Sequence, residues 1–160
     1  MRTRVVNSKE QIFCEWRHHW VRLTPEEWVR QQLLHRLVEQ RGYPASLIAV
    51  EVPLEKLSII HYQLSTVNYQ LSTINCQLST NQRCDAVVYD NAMRPLMIIE
   101  CKAETVPLTQ RTLDQAVTYN RLLNVPWLLL HNGPQTLCVR TDTPTPTFSA
   151  SIPSFDTLTF

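Results

Sequence analysis

A short apolar segment that carries two charges restricts the fold of this 160-residue chain most strongly. Residues Leu96–Lys102 read Leu-Met-Ile-Ile-Glu-Cys-Lys, which is typical of a strand buried on both faces of a sheet. Because side chains alternate across a strand, Glu100 and Lys102 share one face and Cys101 points to the other. A charged pair is costly to bury among such apolar neighbours, so the segment indicates a specific site within a sheet.

Neighbouring segments predict the other parts of this sheet. Residues Cys84–Tyr89 read as a second buried strand, and the short turn over Asp90–Arg94 predicts that the two strands form an antiparallel hairpin. Apolar periodicity, capping residues and turn residues predict five further elements: helices over Pro25–Gln40 and Thr109–Leu123, and strands over Leu47–Val52, Trp127–His131 and Leu137–Arg140. The elements indicate an α/β fold in which helices flank a mixed central sheet.

The composition agrees with one globular domain over residues 1–160. Hydrophobic residues make up 44% of the chain and charged residues 18%, which is ordinary for a protein with a packed core. No apolar run is long enough to cross a bilayer, so no membrane partner is expected. The five cysteines are an odd number without a Cys-x-x-Cys pair, which favours reduced thiols in the cytoplasm over a disulfide scaffold or a structural zinc site.

Two segments depart from this pattern. Residues 62–82 contain three copies of one heptapeptide, of which the first reads Tyr-Gln-Leu-Ser-Thr-Val-Asn. We interpret the repeat as a tandem insert between the first two central strands, and its poor helix formers favour an extended hairpin over a helix. The Thr-, Ser- and Pro-rich tail over residues 142–160 is expected to be irregular or to lie at a sheet edge.

Charge is nearly balanced over the whole chain. The formal net charge is only +1, whereas a protein that holds many phosphates usually has a clear basic excess. Basic residues cluster over residues 17–22, and Arg30 and Arg36 follow on the first helix. A solvated face is the favoured interpretation of these groups. A nucleic acid would therefore be held weakly by this chain alone.

Two carboxylates are expected near one end of the hairpin. If the strands pair about the predicted turn, Asp85 lies close to Glu100, and two such charges repel unless a proton or a cation intervenes. A hard divalent ion with oxygen ligands, typically magnesium, suits this arrangement. A buried Asp–Lys or Glu–Lys ion pair that holds the hairpin together explains the same residues, and spacing alone does not separate the two interpretations.

These residues resemble the signature of the PD-(D/E)XK nuclease superfamily. Arg83-Cys84-Asp85 matches its first acidic position, Ile98–Lys102 matches its Glu-x-Lys element, and Gln115–Tyr119 matches the Gln-x-x-x-Tyr element of some branches. The order helix, three strands, helix, strand is also similar to the core of that superfamily. The resemblance therefore implies a restriction-endonuclease-like fold.

A closer resemblance covers about Trp20 to Val139 and points to the nuclease-like N-terminal domain of type I restriction enzyme R subunits. It rests on seven short stretches: Leu23–Gln31, Tyr43-Pro44, Val50-Glu51, Asp85–Asp90, Glu100–Ala103, Asp114-Gln115 and Asn132-Gly133. The heptapeptide insert differs from the short connection of that family, and Cys84 stands where a proline often precedes the acidic residue. Full enzymes of the family continue into a helicase motor, and none follows within these 160 residues.

The resemblance implies a role for each matching residue. Asp85 and Glu100 would ligate Mg²⁺, or Mn²⁺ in its place, and the backbone carbonyl of Cys101 would add a third oxygen. Lys102 would orient or activate the attacking water and offset negative charge in the transition state. Gln115 would position Lys102 or a phosphate.

Three further residues are supporting candidates. Tyr119 lies one helical turn after Gln115 and would position the same groups. Glu27 on the first helix would add a carboxylate near the metal, although its helix-capping position already explains it. Glu51 is the weakest of the three, because a strand glutamate is more often solvated or salt-bridged.

The expected function is that of a magnesium-dependent endonuclease that hydrolyses DNA phosphodiester bonds. DNA and other restriction-system subunits are the expected partners, and a homodimer is compatible with the sequence. The alternative is a catalytically inactive module on the same scaffold that binds DNA or protein. Action of the same fold on RNA is left open by the sequence.

Overall fold

The computed structural model describes residues 1–53 and 83–158 of the chain. Two sheets and two α-helices make up most of this part, so the predicted mixed α/β fold is confirmed. The elements are, in chain order, β1 (Thr3–Val6), β2 (Lys9–Cys14), β3 (His19–Arg22), α1 (Pro25–Arg41), β4 (Ile48–Pro53), β5 (Arg83–Tyr89), β6 (Pro95–Cys101), α2 (Gln110–Leu123), β7 (Trp127–His131), β8 (Thr136–Arg140) and β9 (Thr147–Ser149).

The larger sheet has six strands in the order β4-β5-β6-β7-β8-β9. β5 and β6 form the predicted antiparallel hairpin, with Ala86 paired to Ile99. β6 and β7 are parallel and are connected through α2, whereas the other neighbouring strands pair antiparallel. The sheet is therefore mixed, as predicted, and strand β9 of the tail lies at its edge.

α1 begins and ends close to the residues that the capping signals predicted. The Thr24 hydroxyl accepts a hydrogen bond from the Glu27 N–H at 3.1 Å, and Pro25 occupies the first turn. Gly42 ends the helix in the left-handed region at φ 73°, a conformation that costs glycine little. Local chemistry therefore fixes both ends of this helix.

The two helices cover opposite faces of the larger sheet. Leu33 and Leu37 of α1 belong to one buried cluster, together with Ile99 of β6. Ala116 of α2 belongs to a second cluster, together with Ile98. The central strands are thus buried on both faces, which explains their nearly continuous apolar sequence.

A three-stranded antiparallel sheet of β1, β2 and β3 precedes α1. No sequence pattern predicted these strands, since the first clear element in the sequence is the helix that begins at Pro25. Asn7 and Ser8 form a two-residue turn with φ of 48° and 59°, the left-handed conformation that joins tight hairpins. Ile12 and Cys14 of β2 are buried, so one face of this small sheet is covered.

Some predictions concern residues that the structure does not describe. The heptapeptide repeat over residues 62–82 lies outside the described residues, and the boundary of a single domain at 1–160 stays a prediction. In the described part, the thiols of Cys14, Cys84, Cys101 and Cys138 are free and buried. Neither described helix has both the length and the apolar character that a membrane span requires.

Candidate active site

Three acidic residues stand side by side at one end of the larger sheet. Counting on from the Ala86–Ile99 pair, Asp85 of β5 and Glu100 of β6 occupy the same level of neighbouring strands. Glu51 of β4 occupies that level on the other side of Asp85 and has a positive φ of 53°. Opposed positions of antiparallel strands lie close together, so the register brings these residues to one place.

The Asp85 carboxylate bridges β6 and α1. Its Oδ2 accepts a hydrogen bond from the Cys101 N–H at 2.6 Å, and its Oδ1 accepts one from the Arg30 guanidinium at 3.0 Å. Burial raises the pKa of Asp85, and the Cys101 N–H and the charge of Arg30 oppose this effect without cancelling it. The negative charge of Asp85 is therefore held in place but incompletely compensated.

Glu100, Lys102 and Gln115 form a second group of contacts beside Asp85. The Glu100 Oε1 accepts hydrogen bonds from Lys102 Nζ at 2.9 Å and from the Gln115 amide at 3.2 Å. The Glu100 Oε2 is buried and has no hydrogen-bond partner among the described residues. A buried carboxylate oxygen without a partner is costly, and its lone pairs are available to a ligand.

The protonation of this second group follows from its surroundings. Burial and the nearby charge of Asp85 raise the pKa of Glu100 to about 7. Burial lowers the pKa of Lys102, but the hydrogen bond to Glu100 and the charge of that carboxylate raise the pKa overall. Lys102 is therefore positively charged at neutral pH, whereas Glu100 is close to its titration midpoint.

Two arginines that the sequence had suggested to be solvated lie inside the acidic cluster. Arg30 on α1 is only 6% exposed and forms ion pairs with Glu27, with Glu51 at 2.5 Å and with Asp85 at 3.0 Å. Arg17, in the turn between β2 and β3, contacts Glu27 at 2.5 Å and Glu51 at 3.7 Å. The interpretation as a solvated face was therefore wrong for both arginines.

The Glu27 side chain organises this network and does not cap α1. It accepts hydrogen bonds from Arg17, Arg30 and Gln31, and only the backbone N–H of Glu27 takes part in the cap. A sequence signal for part of this network existed. Arg30 and Gln31 follow Glu27 by three and four positions, which places all three side chains on one face of a helix.

Negative charge exceeds positive charge in this cluster. Five carboxylates face three cations, which leaves a formal charge of −2 when all are ionised. The members are Glu26, Glu27, Glu51, Asp85, Glu100, Arg17, Arg30 and Lys102.

A cleft of about 590 Å³ opens beside the cluster, with Glu26, Glu51 and Asp85 in its wall. A larger cleft of about 910 Å³ lies around Trp16 and His35, and its described lining includes none of the predicted site residues.

A family model described as the N terminus of type I restriction enzyme R proteins matches residues 25–153. The chain belongs to this family. Every predicted site residue of this R-protein domain, from Glu27 to Tyr119, lies inside the matched range, whereas β1, β2 and β3 precede it. No curated protein matches the chain significantly.

A solved structure has a similar fold. It is a fragment described as an HsdR subunit of a type I restriction enzyme from Vibrio vulnificus YJ016. It is 17% identical to this chain, covers 85% of it and gives a TM-score of 0.56. This chain covers 24% of that fragment. At such low identity the similarity shows the fold alone.

The structure describes only part of the site that the family resemblance implied. Gln115 contacts Glu100, whereas the side chain of Tyr119 lies outside the described residues. Within residues 1–53 and 83–158, no group of three His, Cys, Asp or Glu side chains is arranged to hold a metal ion. A Glu–Lys ion pair, one of the two interpretations of the sequence, is present between Glu100 and Lys102, while Asp85 pairs with an arginine.

We expect Glu100→Gln to stabilise this R-protein domain increasingly as pH rises, when a chelator keeps metal ions away. The folded chain holds the Glu100 proton up to about pH 7, whereas an unfolded chain releases it near the ordinary value of 4.5. Between these values the folded state binds more protons, so Glu100 costs the wild type stability as pH rises, and glutamine does not.

Melting temperatures between about pH 5 and pH 8 in EDTA measure this effect. The exposed Glu104→Gln variant controls for the removal of one carboxylate. A stability difference between Glu100→Gln and wild type that stays constant across this range would contradict the prediction.

Proposed function

We infer that this chain is a metal-dependent nuclease of the PD-(D/E)XK kind that hydrolyses DNA phosphodiester bonds. The observation that carries the proposal is the state of the Glu100 carboxylate. One oxygen contacts Lys102 and Gln115, and the other is buried without a hydrogen-bond partner among the described residues. Membership of the type I R-protein N-terminal family supports a role in restriction.

Magnesium suits the donors of this site. Mg²⁺ prefers oxygen ligands, and the proposed ligands are the carboxylates of Asp85 and Glu100 and the backbone carbonyl of Cys101. The pKa of each proposed carboxylate is raised within a cluster of excess negative charge, so a divalent cation would stabilise the ionised forms. Both Asp85 oxygens already accept hydrogen bonds, but each has a second lone pair for a cation. Mn²⁺ accepts the same ligands.

The residues around Glu100 have roles that follow from their contacts and charges. A bound Mg²⁺ would polarise the scissile phosphate and lower the pKa of a water. Lys102 carries a positive charge at neutral pH and would place it where negative charge develops on the phosphoryl oxygens. Gln115 donates to Glu100 and would hold that carboxylate in position when Lys102 turns to the substrate. Tyr119, on the same helix, is proposed to assist Gln115.

Glu27 and Glu51 are proposed to act indirectly, through Arg30 and Asp85. Both form ion pairs with Arg30, which in turn contacts Asp85. They would fix the guanidinium, and the guanidinium would fix the orientation of the Asp85 carboxylate. Glu27 and Glu51 are thus positioning residues in this proposal, and neither needs to contact the metal or the DNA.

The partners follow from the same proposal. DNA is the substrate, and other restriction-system subunits would bring the site to it, since a net charge of +1 gives little general attraction to phosphate. This chain corresponds to 24% of the solved HsdR fragment, so an association with the other parts of a restriction enzyme belongs to the proposal. A homodimer and a cytoplasmic location stay predictions.

Nicking of supercoiled plasmid DNA with Mg²⁺, with Mn²⁺ and with EDTA tests the nuclease function. We expect cleavage with either metal and none with EDTA. Lys102→Ala should lower the rate by about 100- to 1,000-fold, because a charge that stabilises the transition state is lost. Mn²⁺ binding, measured by titration calorimetry, should persist in this variant.

Two outcomes would count against the nuclease function. The proposal for this chain would be refuted if folded wild-type protein failed to cut plasmid DNA with Mg²⁺ and also with Mn²⁺. Equal nicking by wild type and Lys102→Ala would indicate a contaminating nuclease. Melting curves for both proteins separate a loss of chemistry from a loss of folding.

Two observations favour a second function, that of a catalytically inactive module that binds DNA or protein. Arg30 already pairs with Asp85, and no three-residue metal group exists among the side chains that the structure describes. In such a module the ion pairs would serve the fold alone. It would bind DNA equally well with and without Mg²⁺ and would leave the plasmid intact, which the same experiments measure.

A further inference from the structure

The outer face of the N-terminal sheet carries positive charge that the proposed site does not use. Directly opposed residues of antiparallel strands point to the same side of a sheet. Arg4, Gln11 and Arg22 form one such row across β1, β2 and β3, and Phe13 and Trp20 form the next row on the same face. Arg4 and Arg22 are exposed, so both cations are accessible on this face.

Two further cations belong to this outer face. Arg2 stacks over the Phe13 ring at 4.0 Å, and Lys9 lies on the same side of β2 as Phe13. The structure describes all three strands completely, and Glu10 is the only acidic residue within them. Alternation places Glu10 on the opposite face. The outer face therefore presents four cations that no strand carboxylate on that face neutralises.

The charge of the chain is divided unevenly along the sequence. Residues 1–22 carry five Lys or Arg against two Glu, a charge of +3, whereas residues 23–160 carry ten against twelve, a charge of −2. The near-neutral net charge is therefore the sum of a basic N-terminal segment, which contains the small sheet, and an acidic remainder. The basic sheet also lies before residues 25–153, the range that the family model matches.

Aromatic rings order two of the guanidinium groups. The Arg4 guanidinium lies 4.2 Å from the centre of the Trp20 ring, which meets the Phe13 ring edge to face at 5.5 Å. A stacked arginine loses less conformational freedom when it binds a ligand and can still donate hydrogen bonds in its plane. Ordered cations on an exposed face suit a repeating anion such as a phosphate backbone.

The small sheet is continuous with the proposed site. Arg22 and Val21 of β3 line the cleft that also contains Asp85. Arg17, in the turn before β3, reaches Glu27 inside the acidic cluster. A polyanion that lay along the Arg4–Arg22 row would therefore reach the edge of the cleft.

We propose that the outer face of β1, β2 and β3 binds the phosphate backbone of DNA and directs it to the cleft beside Asp85. The choice of DNA rests on the proposed function, but the binding surface does not depend on catalysis. In this proposal the face adds phosphate contacts to the charge of Lys102, while residues 23–160 carry a formal charge of −2.

Fluorescence anisotropy with a labelled DNA duplex of about 30 base pairs, in EDTA, tests this surface without cleavage. The test variant is Arg4→Gln/Arg22→Gln, and the matched control is Arg36→Gln/Arg111→Gln, which removes two exposed arginines from the two helices. We expect the test variant to bind about tenfold more weakly, with the slope of log affinity against log salt reduced by about 2, because two phosphate contacts are lost.

Several outcomes would overturn this inference. They are undetectable binding by wild type, equal weakening by the control variant, and at least tenfold tighter binding to an RNA duplex of the same sequence. Melting curves verify that each variant is folded. A wild type that binds as expected but never cuts DNA refutes the nuclease function and supports the binding surface. A wild type that cuts, while Arg4→Gln/Arg22→Gln binds and cuts with unchanged KM, refutes the surface alone.

Discussion

Asp85→Asn should abolish metal-dependent nicking, with a loss of at least about 1,000-fold. Asparagine keeps the size of the side chain and a carbonyl oxygen that can still accept the Cys101 N–H. It removes the negative charge that the proposed magnesium site requires. The variant should fold, because burial already disfavours the ionised form of Asp85, as its raised pKa indicates.

Mn²⁺ titration calorimetry and plasmid nicking should respond together in Asp85→Asn. Lys102→Ala is expected to lose nicking alone, so the two variants distinguish a ligand of the metal from a charge that acts on the substrate. Asp156→Asn, which changes an exposed aspartate near the end of the described chain, provides the matched control. Full nicking by folded Asp85→Asn would mean that Asp85 is a structural partner of Arg30 and holds no metal.

The parts of the fold that the sequence predicted well depend on local signals. Thr24, Pro25 and Gly42 determine the ends of α1 through backbone chemistry within one turn of each end. The β5–β6 hairpin follows from two apolar segments separated by a short polar turn, and Asp90 caps that turn through hydrogen bonds to the N–H groups of Ala92 and Arg94. Such features need no knowledge of distant residues.

The N-terminal sheet was missed because its strands give a weak signal. Ile12 and Cys14 of β2 are the buried hydrophobic residues in these strands, and the turn at Asn7 and Ser8 lacks the glycine that usually identifies a tight hairpin. Strands of four to six residues with one covered face show little apolar periodicity. Pairing among the three strands is what makes the segment regular.

The candidate site was predictable only where its residues share an element or a hairpin. The contact of Glu100 with Lys102 follows from alternation along one strand, and its proximity to Asp85 follows from the hairpin register. Arg30 contacts Asp85 across 55 positions of sequence, and that contact depends on how α1 packs against the sheet. The charge pattern of a helix does not distinguish a solvated arginine from one that packing turns inward.

Arg30→Met should destabilise the folded chain by about 3–5 kcal/mol, because removing one partner leaves buried carboxylates without a counter-charge. Arg30 pairs with Glu27, Glu51 and Asp85, of which Glu27 is only 5% exposed. Methionine retains a long apolar side chain, so the loss reports the charge more than the packing. The exposed Arg36→Met variant on the same helix should change stability by less than about 0.5 kcal/mol.

The loss of stability in Arg30→Met should become smaller at low pH. Burial raises the pKa of Glu27, but its hydrogen bonds to Gln31 and Arg17 and the charge of Arg30 lower the pKa below its ordinary value. A lowered folded-state pKa stabilises the protein above the unfolded value, and that contribution disappears as pH falls through the folded value. The gap between wild type and Arg30→Met in urea unfolding should therefore narrow as pH falls below about 4.5.

Adding Glu27→Gln to Arg30→Met should restore part of the lost stability, because one unpaired carboxylate is then removed. Nicking by the stable double variant also separates two roles of Arg30. Reduced nicking is expected if the guanidinium orients Asp85, since the carboxylate would then lose its hydrogen bond from α1. Stability no higher than that of Arg30→Met would contradict the predicted restoration. Nicking faster than that of wild type would contradict the positioning role and would mean that Arg30 competes with the metal ion for Asp85.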